Sequence, residues 1–117
     1  MVMDEILNKK IMLVDDEREL LSLLKEVFIK EGFKEIYAVD NGIDAILQVK
    51  EKNPDMIILD VNLPDIDGYK VCDRIRKFST CPIIFLTAMG EDEEKIKGLE
   101  AGGDDYVTKP FNIKEVV

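Results

Sequence analysis

Short apolar runs alternate with amphipathic stretches along the whole chain. Apolar runs of about 4–8 residues bounded by turn residues are typical of buried strands in a parallel sheet. Stretches in which apolar residues recur every three or four positions predict helices. The predicted strands cover residues 9–14, 35–39 and 55–60, a run that begins at Pro82 and ends in Thr87 and Ala88, and residues 104–108. The predicted helices cover residues 17–30, a stretch marked by Ile43, Ile46 and Leu47, a stretch lined by Val71, Cys72, Ile75 and Phe78, residues 91–101, and a last stretch that begins at Asn112.

The first predicted helix has an apolar face that its spacing defines. The residues on that face are Leu20, Leu23, Leu24, Val27 and Phe28. Gly32 follows the helix, and a glycine just past the last turn is a common helix end. An apolar helix face of this kind is expected to pack on a sheet.

Alternation of strands and helices predicts an α/β fold, a doubly wound parallel sheet with helices on both faces. The crossovers in such a fold are right-handed. No linker, internal repeat or low-complexity segment interrupts the pattern, so residues 1–117 are predicted to form a single domain.

Composition narrows the class of protein. With 46% hydrophobic and 35% charged residues, the chain has the balance of a globular domain. A net charge of −9 argues against nucleic-acid binding by this segment and favours cations or basic surfaces as partners. No run is long enough for a membrane span, no signal-peptide pattern is present, and Cys72 and Cys81 give no disulfide framework, so a cytoplasmic location without a membrane partner is expected. The absence of histidine removes Ser-His and Cys-His nucleophile pairs.

Polar residues collect where the predicted strands end. Asp15 and Asp16 follow the first strand, Asp60 ends the third, Thr87 ends the fourth and Lys109 follows the fifth. If the first and third strands are neighbours, three carboxylates meet at the sheet edge where ligands bind in open α/β sheets. A divalent cation would relieve their repulsion, and oxygen ligands suit Mg²⁺. A carboxylate nucleophile, a metal, a lysine and a hydroxyl are the groups that phosphoryl transfer uses.

Each of these residues also has a purely structural interpretation. Asp15 suits a helix N-cap and Asp60 suits a turn, while Thr87 suits a strand and Lys109 a solvated surface. Taken singly, Thr87 and Lys109 have these structural roles more often than functional ones. Their joint placement at one sheet edge favours a functional site.

Four stretches together resemble the receiver domain of a two-component response regulator: KKIMLVDDE, DMIILDVNLPDIDGY, PIIFLTA and GLEAGGDDYVTKPFN. The resemblance covers nearly the whole chain in order. It implies a flavodoxin-like, five-stranded parallel sheet in the order 2-1-3-4-5. It also implies a signalling switch rather than an enzyme, although one with Mg²⁺-dependent self-phosphorylation and autodephosphorylation chemistry.

The same resemblance implies a phosphoacceptor and a metal site. Asp60 is expected to accept a phosphoryl group from the phosphohistidine of a sensor histidine kinase. Asp16 is expected to bind Mg²⁺ directly, Asp15 mostly through water, and Asn62 through its backbone carbonyl, with Asp60 as a further ligand.

Three more residues match the family's switch. Lys109 is expected to pair with the phosphoryl oxygens. The hydroxyl of Thr87 is expected to move toward the phosphoryl group as the ring of Tyr106 turns inward. The bond between Lys109 and Pro110 is expected to be cis.

The fourth-helix and fifth-strand stretches most resemble the winged-helix, DNA-binding transcription-factor branch, known as OmpR/PhoB. This branch implies a homodimer through the face made by helix four, strand five and helix five. Lys95 and Glu115 match a pair across that dimer, and Asp105 matches a residue whose arginine partner would lie beyond Val117. The fifth helix is expected to be truncated and the effector domain, through which DNA would be bound, to be absent from this segment.

Two other classes of protein are less consistent with the residues. An aspartyl-phosphate phosphohydrolase would require D-x-D after the first strand, whereas Asp15 and Asp16 are adjacent. A flavin-binding module on the same fold would require a Ser/Thr-rich phosphate loop, and the acidic DDERE stretch would repel a phosphate.

Overall fold

The computed structural model describes residues 7–87 and residues 105–108, with the backbone alone described for Thr87 and for 105–108. It contains β1 (Lys10–Val14), α1 (Arg18–Lys30), β2 (Glu35–Val39), α2 (Gly42–Lys52), β3 (Met56–Asp60), α3 (Gly68–Ile75), β4 (Ile83–Thr87) and β5 (Asp105–Thr108). β1, β2, β3 and β5 end at the predicted residue, and β4 ends at Thr87, the first of the two residues expected at its end. Each strand begins within one residue of its predicted start. The helices predicted at 91–101 and from Asn112, and the Lys109–Pro110 bond, lie outside the described residues.

The strands form one parallel sheet in the order β2-β1-β3-β4-β5. β1 lies between β2 and β3, with Val14 opposite Val39 on one side and Leu59 on the other. The predicted order of the first four strands is confirmed. The backbone of β5 runs beside β4, with Thr108 opposite Thr87.

Neighbouring residues of each central strand pack on opposite faces of the sheet. Met12 belongs to the hydrophobic cluster that includes Ala45 of α2 and Val71 of α3. Leu13, the next residue, belongs to a second cluster with Leu24 of α1. The sheet is therefore covered on both faces, α1 on one and α2 and α3 on the other. Across the described ranges, none of the helices combines the length and apolar character needed to cross a membrane.

The buried face of α1 differs from the predicted one. Leu21, Leu24 and Phe28 are buried, whereas Leu23 is 45% exposed. Leucines at 20, 21, 23 and 24 satisfy a helical spacing on two overlapping sides of the helix. Spacing alone therefore does not set the rotation of α1, and its packing against the sheet does.

The other two helices show the same limit of the sequence pattern. Ile43 and Leu47, which marked α2, are 51% and 57% exposed, while Ala45 and Val49 are buried. Phe78, expected on the third helix, lies beyond the end of α3 and is 41% exposed.

Polar side chains and left-handed residues set the helix ends. Asn41 caps α2 by accepting a hydrogen bond from the amide of Asp44. Asn53 ends the same helix in the left-handed region, with a φ of 50°. Gly32 has a φ of 105° just after α1, which agrees with its predicted role as a stop.

Candidate functional site

Three aspartates lie together where β1 and β3 end. Because Val14 and Leu59 are opposite each other in neighbouring strands, Asp15 and Asp60 emerge side by side. Asp15 is 1% exposed and Asp60 is 2% exposed. Asp16 is exposed, and the nearest carboxylate oxygens of the three residues lie within 4.8 Å of one another. We call Asp15, Asp16 and Asp60 the acidic cluster.

Backbone amides orient the two buried carboxylates of the acidic cluster. Oδ1 of Asp15 accepts from the amide of Glu17 at 2.9 Å, and Oδ1 of Asp60 accepts from the amide of Asn62 at 3.1 Å. Such bonds offset part of the free-energy cost of burying a carboxylate. Each aspartate thus also closes the turn that follows it, as aspartates commonly do. The N-cap of α1 is Glu17, so the interpretation of Asp15 as that N-cap is wrong.

The acidic cluster has the ligand chemistry of a hard divalent cation. Its three side chains offer only carboxylate oxygens, and two of them are buried. Carboxylates held this close repel one another, more strongly where water is excluded. Mg²⁺ binds through a few carboxylates and keeps several waters, so these residues fit it.

Gly68 is a residue of this site that the sequence pattern did not mark. Its amide donates to the carbonyl oxygen of Val61 at 2.8 Å and so closes the loop that follows Asp60. A Cβ at Gly68 would overlap the carbonyl oxygen of Asp60 and lie 2.8 Å from Cα of Val61. Only glycine fits here without a backbone shift. The available signal was its place at a turn before a helix, which also suits an ordinary turn.

Asp65, in the same loop, is a second residue that the pattern did not mark. Its carboxylate accepts from the amides of Gly42 and Ile43, each at 2.8 Å. Desolvation by burial acts to raise the pKa of Asp65, but backbone hydrogen bonds, including those two, outweigh it and lower that pKa. The contact spans more than twenty positions in sequence, and no local pattern indicates it.

The remaining predicted residues have only a backbone position, or none, in the described part of the chain. Thr87 ends β4 directly after Leu86, which is opposite Asp60. Asp105 and Tyr106 lie in β5, opposite Ile84 and Phe85. Three others lie outside the described residues: Lys95, Lys109 and Glu115.

Comparison with known proteins assigns a family. Residues 11–117 match the family described as the response regulator receiver domain. The chain is 46% identical over 111 residues to the regulatory protein VanRc of Enterococcus gallinarum, across 95% of this chain and 48% of that protein. It therefore spans about half the length of this relative.

Two solved structures have the same fold. A two-component response regulator from Clostridium difficile has a TM-score of 0.89 and 33% identity, covering 93% of this chain and 89% of that one. DrrB of Thermotoga maritima, described as an OmpR/PhoB homolog, has a TM-score of 0.83 and 36% identity, covering 93% and 49% of the two chains.

The chain belongs to the response regulator receiver domain family. It is thus a signalling module with a flavodoxin-like α/β fold, and proteins of this family generally interact with histidine kinases. Receiver domains use Mg²⁺ at an acidic pocket, and the acidic cluster fits both that metal and phosphorylation.

Proposed function

We propose that Asp60 accepts a phosphoryl group from the phosphohistidine of a sensor histidine kinase and thereby switches the domain. One observation carries the proposal: Asp60 is 2% exposed, ends a central strand, and lies within 4.8 Å of Asp15 and Asp16 by carboxylate oxygens. Carboxylates buried this close together repel one another, and such arrangements are concentrated at functional sites, where a bound cation can offset the repulsion.

The transfer forms one bond and breaks one. A carboxylate oxygen of Asp60 forms the new P–O bond while the P–N bond of the phosphohistidine breaks. The electron pair remains on the imidazole nitrogen, and the product is an aspartyl phosphate. The amide of Asn62 holds Oδ1 of Asp60 at 3.1 Å, which restricts the directions in which the carboxylate can react.

The metal would be held by Asp15, Asp16, Asp60 and the backbone carbonyl of Asn62. Asp16 would bind it directly and Asp15 mostly through water. When bound, Mg²⁺ would offset negative charge on the transferring oxygens, because phosphoryl transfer depends mainly on position and charge stabilisation.

The readout of phosphorylation is proposed to use Lys109, Thr87 and Tyr106. Lys109 would pair with the phosphoryl oxygens, and the Thr87 hydroxyl would approach them as the Tyr106 ring turns inward. The backbone register supports a role for Thr87, since it follows the residue opposite Asp60 in the neighbouring strand. Hydrolysis of the aspartyl phosphate by the domain itself would reset the switch.

We also propose that the chain belongs to the OmpR/PhoB branch and that its fold is a five-stranded receiver with a fifth helix. A homodimer would form through the face of helix four, β5 and helix five, with Lys95 and Glu115 paired across it and Asp105 paired to an arginine after Val117. DNA would be bound by a C-terminal effector domain, not by this segment, whose net charge is −9.

Two facts support the OmpR/PhoB branch: DrrB is described as an OmpR/PhoB homolog, and the chain matches about half of DrrB and of VanRc. The cell compartment would be the cytoplasm.

Mass measurement after incubation with Mg²⁺ and acetyl phosphate tests the phosphoacceptor. Wild type is expected to gain one phosphoryl group and Asp60→Asn none. Asp55→Asn is the matched control, because Asp55 is the acid at the other end of β3 and is exposed. Wild type without the added mass, or Asp60→Asn labelled as fully as Asp55→Asn, would contradict the proposal.

A further inference from the structure

The loop that follows Asp60 is held at both of its ends. The loop comprises residues 61–67, between β3 and α3. Near its start, the amide of Asn62 donates to Oδ1 of Asp60 at 3.1 Å. At its end, the amide of Gly68 donates to the carbonyl oxygen of Val61 at 2.8 Å. The position of the Asp60 carboxylate therefore depends on the backbone of this loop.

Asp65 ties the middle of the same loop to another helix. Its Oδ1 accepts from the amide of Gly42 and its Oδ2 from the amide of Ile43, each at 2.8 Å. Both carboxylate oxygens are engaged although the residue is exposed to solvent. A two-point contact of this kind restrains both the position and the orientation of the loop.

The amides that bind Asp65 are the first two of α2. These groups have no partner within a helix, and the positive end of the helix dipole favours a carboxylate there. Asn41 caps a different amide of the same helix, that of Asp44 at 2.9 Å. Asn41 and Asp65 therefore share the capping of α2, but only Asp65 belongs to the loop after Asp60.

The Asp65 contact joins segments on the two sides of β1. α2 follows β2, the loop follows β3, and β1 lies between those two strands in the sheet. Asp15 and Asp16 of the acidic cluster directly follow β1. Packing at the start of α2 is close, because a Cβ at Gly42 would lie 2.7 Å from Cγ1 of Ile66. The loop and α2 thus meet with little room for independent movement.

We infer that Asp65 is a positioning residue for phosphorylation, which acts through the loop backbone on Asn62 and the carboxylate of Asp60. The inference rests on the proposed function of Asp60 and adds a residue to that site. Asp65 does not touch the phosphoryl group. It holds the loop that supplies the amide donor to Asp60 and the proposed carbonyl ligand of Asn62.

Two alanine variants of the full chain separate positioning from helix capping. Asp65→Ala and Asn41→Ala each remove a cap of α2, and each is expected to lower the melting temperature. Only Asp65→Ala is expected to raise the Kd for Mg²⁺, titrated as MgCl₂, and to slow labelling by acetyl phosphate. About tenfold is expected for each, the lower end of the usual cost of losing a residue that orients metal ligands. Asn41→Ala is expected to remain near wild type in both.

Amide hydrogen exchange gives a readout that does not require phosphorylation. The Asn62 amide is expected to exchange faster in Asp65→Ala than in Asn41→Ala, and Asp65→Asn, which keeps one acceptor oxygen, is expected to be intermediate. Equal exchange, Kd and labelling in the two alanine variants would overturn the inference. If wild type itself takes no phosphoryl group, the function of Asp60 fails, while exchange at Asn62 and the Kd for Mg²⁺ still decide the role of Asp65.

Discussion

The aspartates at the two ends of β3 have opposite surroundings. Asp55, just before the strand, is exposed, and its Oδ2 accepts from the amide of Lys10 at 2.8 Å. Asp60, at the other end, is buried beside Asp15 and Asp16. The residue type and the strand are the same, so the difference comes from which neighbouring chain segments end at each edge of the sheet.

At the amino edge of the sheet, cationic side chains serve backbone carbonyls. Nη1 of Arg76 donates to the carbonyl of Cys81 at 2.6 Å and to that of Ser79 at 3.3 Å, and Nζ of Lys10 donates to the carbonyl of Lys52 at 3.2 Å. At the carboxyl edge, backbone amides donate to the carboxylates of Asp15 and Asp60, as the Lys10 amide does to Asp55, but these two carboxylates are buried and lie in the acidic cluster. The hydrogen bonds at the amino edge contribute to stability, whereas the clustered carboxylates at the carboxyl edge form a negatively charged site to which a cation can bind.

The largest expected effect comes from Gly68→Ala. The new Cβ would overlap the backbone of Asp60, so we expect a loss of about 3 kcal/mol or more in the free energy of unfolding. Any folded protein should label poorly with acetyl phosphate, because the loop after Asp60 must move. Urea unfolding and mass measurement check the two effects.

Arg76→Ala is the control at the amino edge for that substitution. It removes the donor to two carbonyls and is expected to cost about 1–3 kcal/mol. It should nevertheless label at the wild-type rate, since Arg76 lies at the opposite edge of the sheet. The contrast between the two edges would be contradicted if Gly68→Ala were as stable as wild type, or if Gly68→Ala and Arg76→Ala lost labelling by acetyl phosphate to the same extent.

Mg²⁺ should stabilise the unphosphorylated domain by binding the acidic cluster of the folded state. At ten times its Kd a ligand adds about 1.4 kcal/mol, which corresponds to a rise in melting temperature of roughly 4–8 °C for a domain near this size. Thermal melting with and without MgCl₂ measures this. Asp16→Ala should abolish the shift and Asp55→Ala should keep it, and an identical shift in both would exclude the cluster as the binding site.

The smallest expected effect is the pH dependence that Asp65 contributes. Its folded-state pKa lies below the ordinary value of 3.8, so its stabilising effect is complete above that value and is lost as the pH falls through the folded-state pKa. The stability difference between wild type and Asp65→Asn should therefore shrink as the pH is lowered from about 6 to about 3. This difference in the free energy of unfolding should stay well under about 1 kcal/mol, because solvent screens an exposed carboxylate. Urea unfolding over this range measures it, and a difference that grows toward low pH would show the opposite sign of coupling.

The strand ends and the acids that follow them were predictable from local sequence. One short apolar run is followed by Asp15 and Asp16, and another ends at Asp60. To place these acids together, the prediction needs only the rule that parallel strands present their carboxyl ends to one edge of the sheet. The helix ends at Gly32 and Asn53 were also predictable, because their causes lie within a few residues in the chain.

Only the tertiary structure decided which groups meet. The rotation of α1 buries Leu21 and exposes Leu23, since the sheet selects one of two faces that spacing allows. The close approach of Gly68 to Asp60 depends on the path of a whole loop. The contact of Asp65 with Gly42 joins segments that follow the two strands on either side of β1, and these residues are far apart in sequence. It therefore forms, and stabilises the protein, only once the chain has folded.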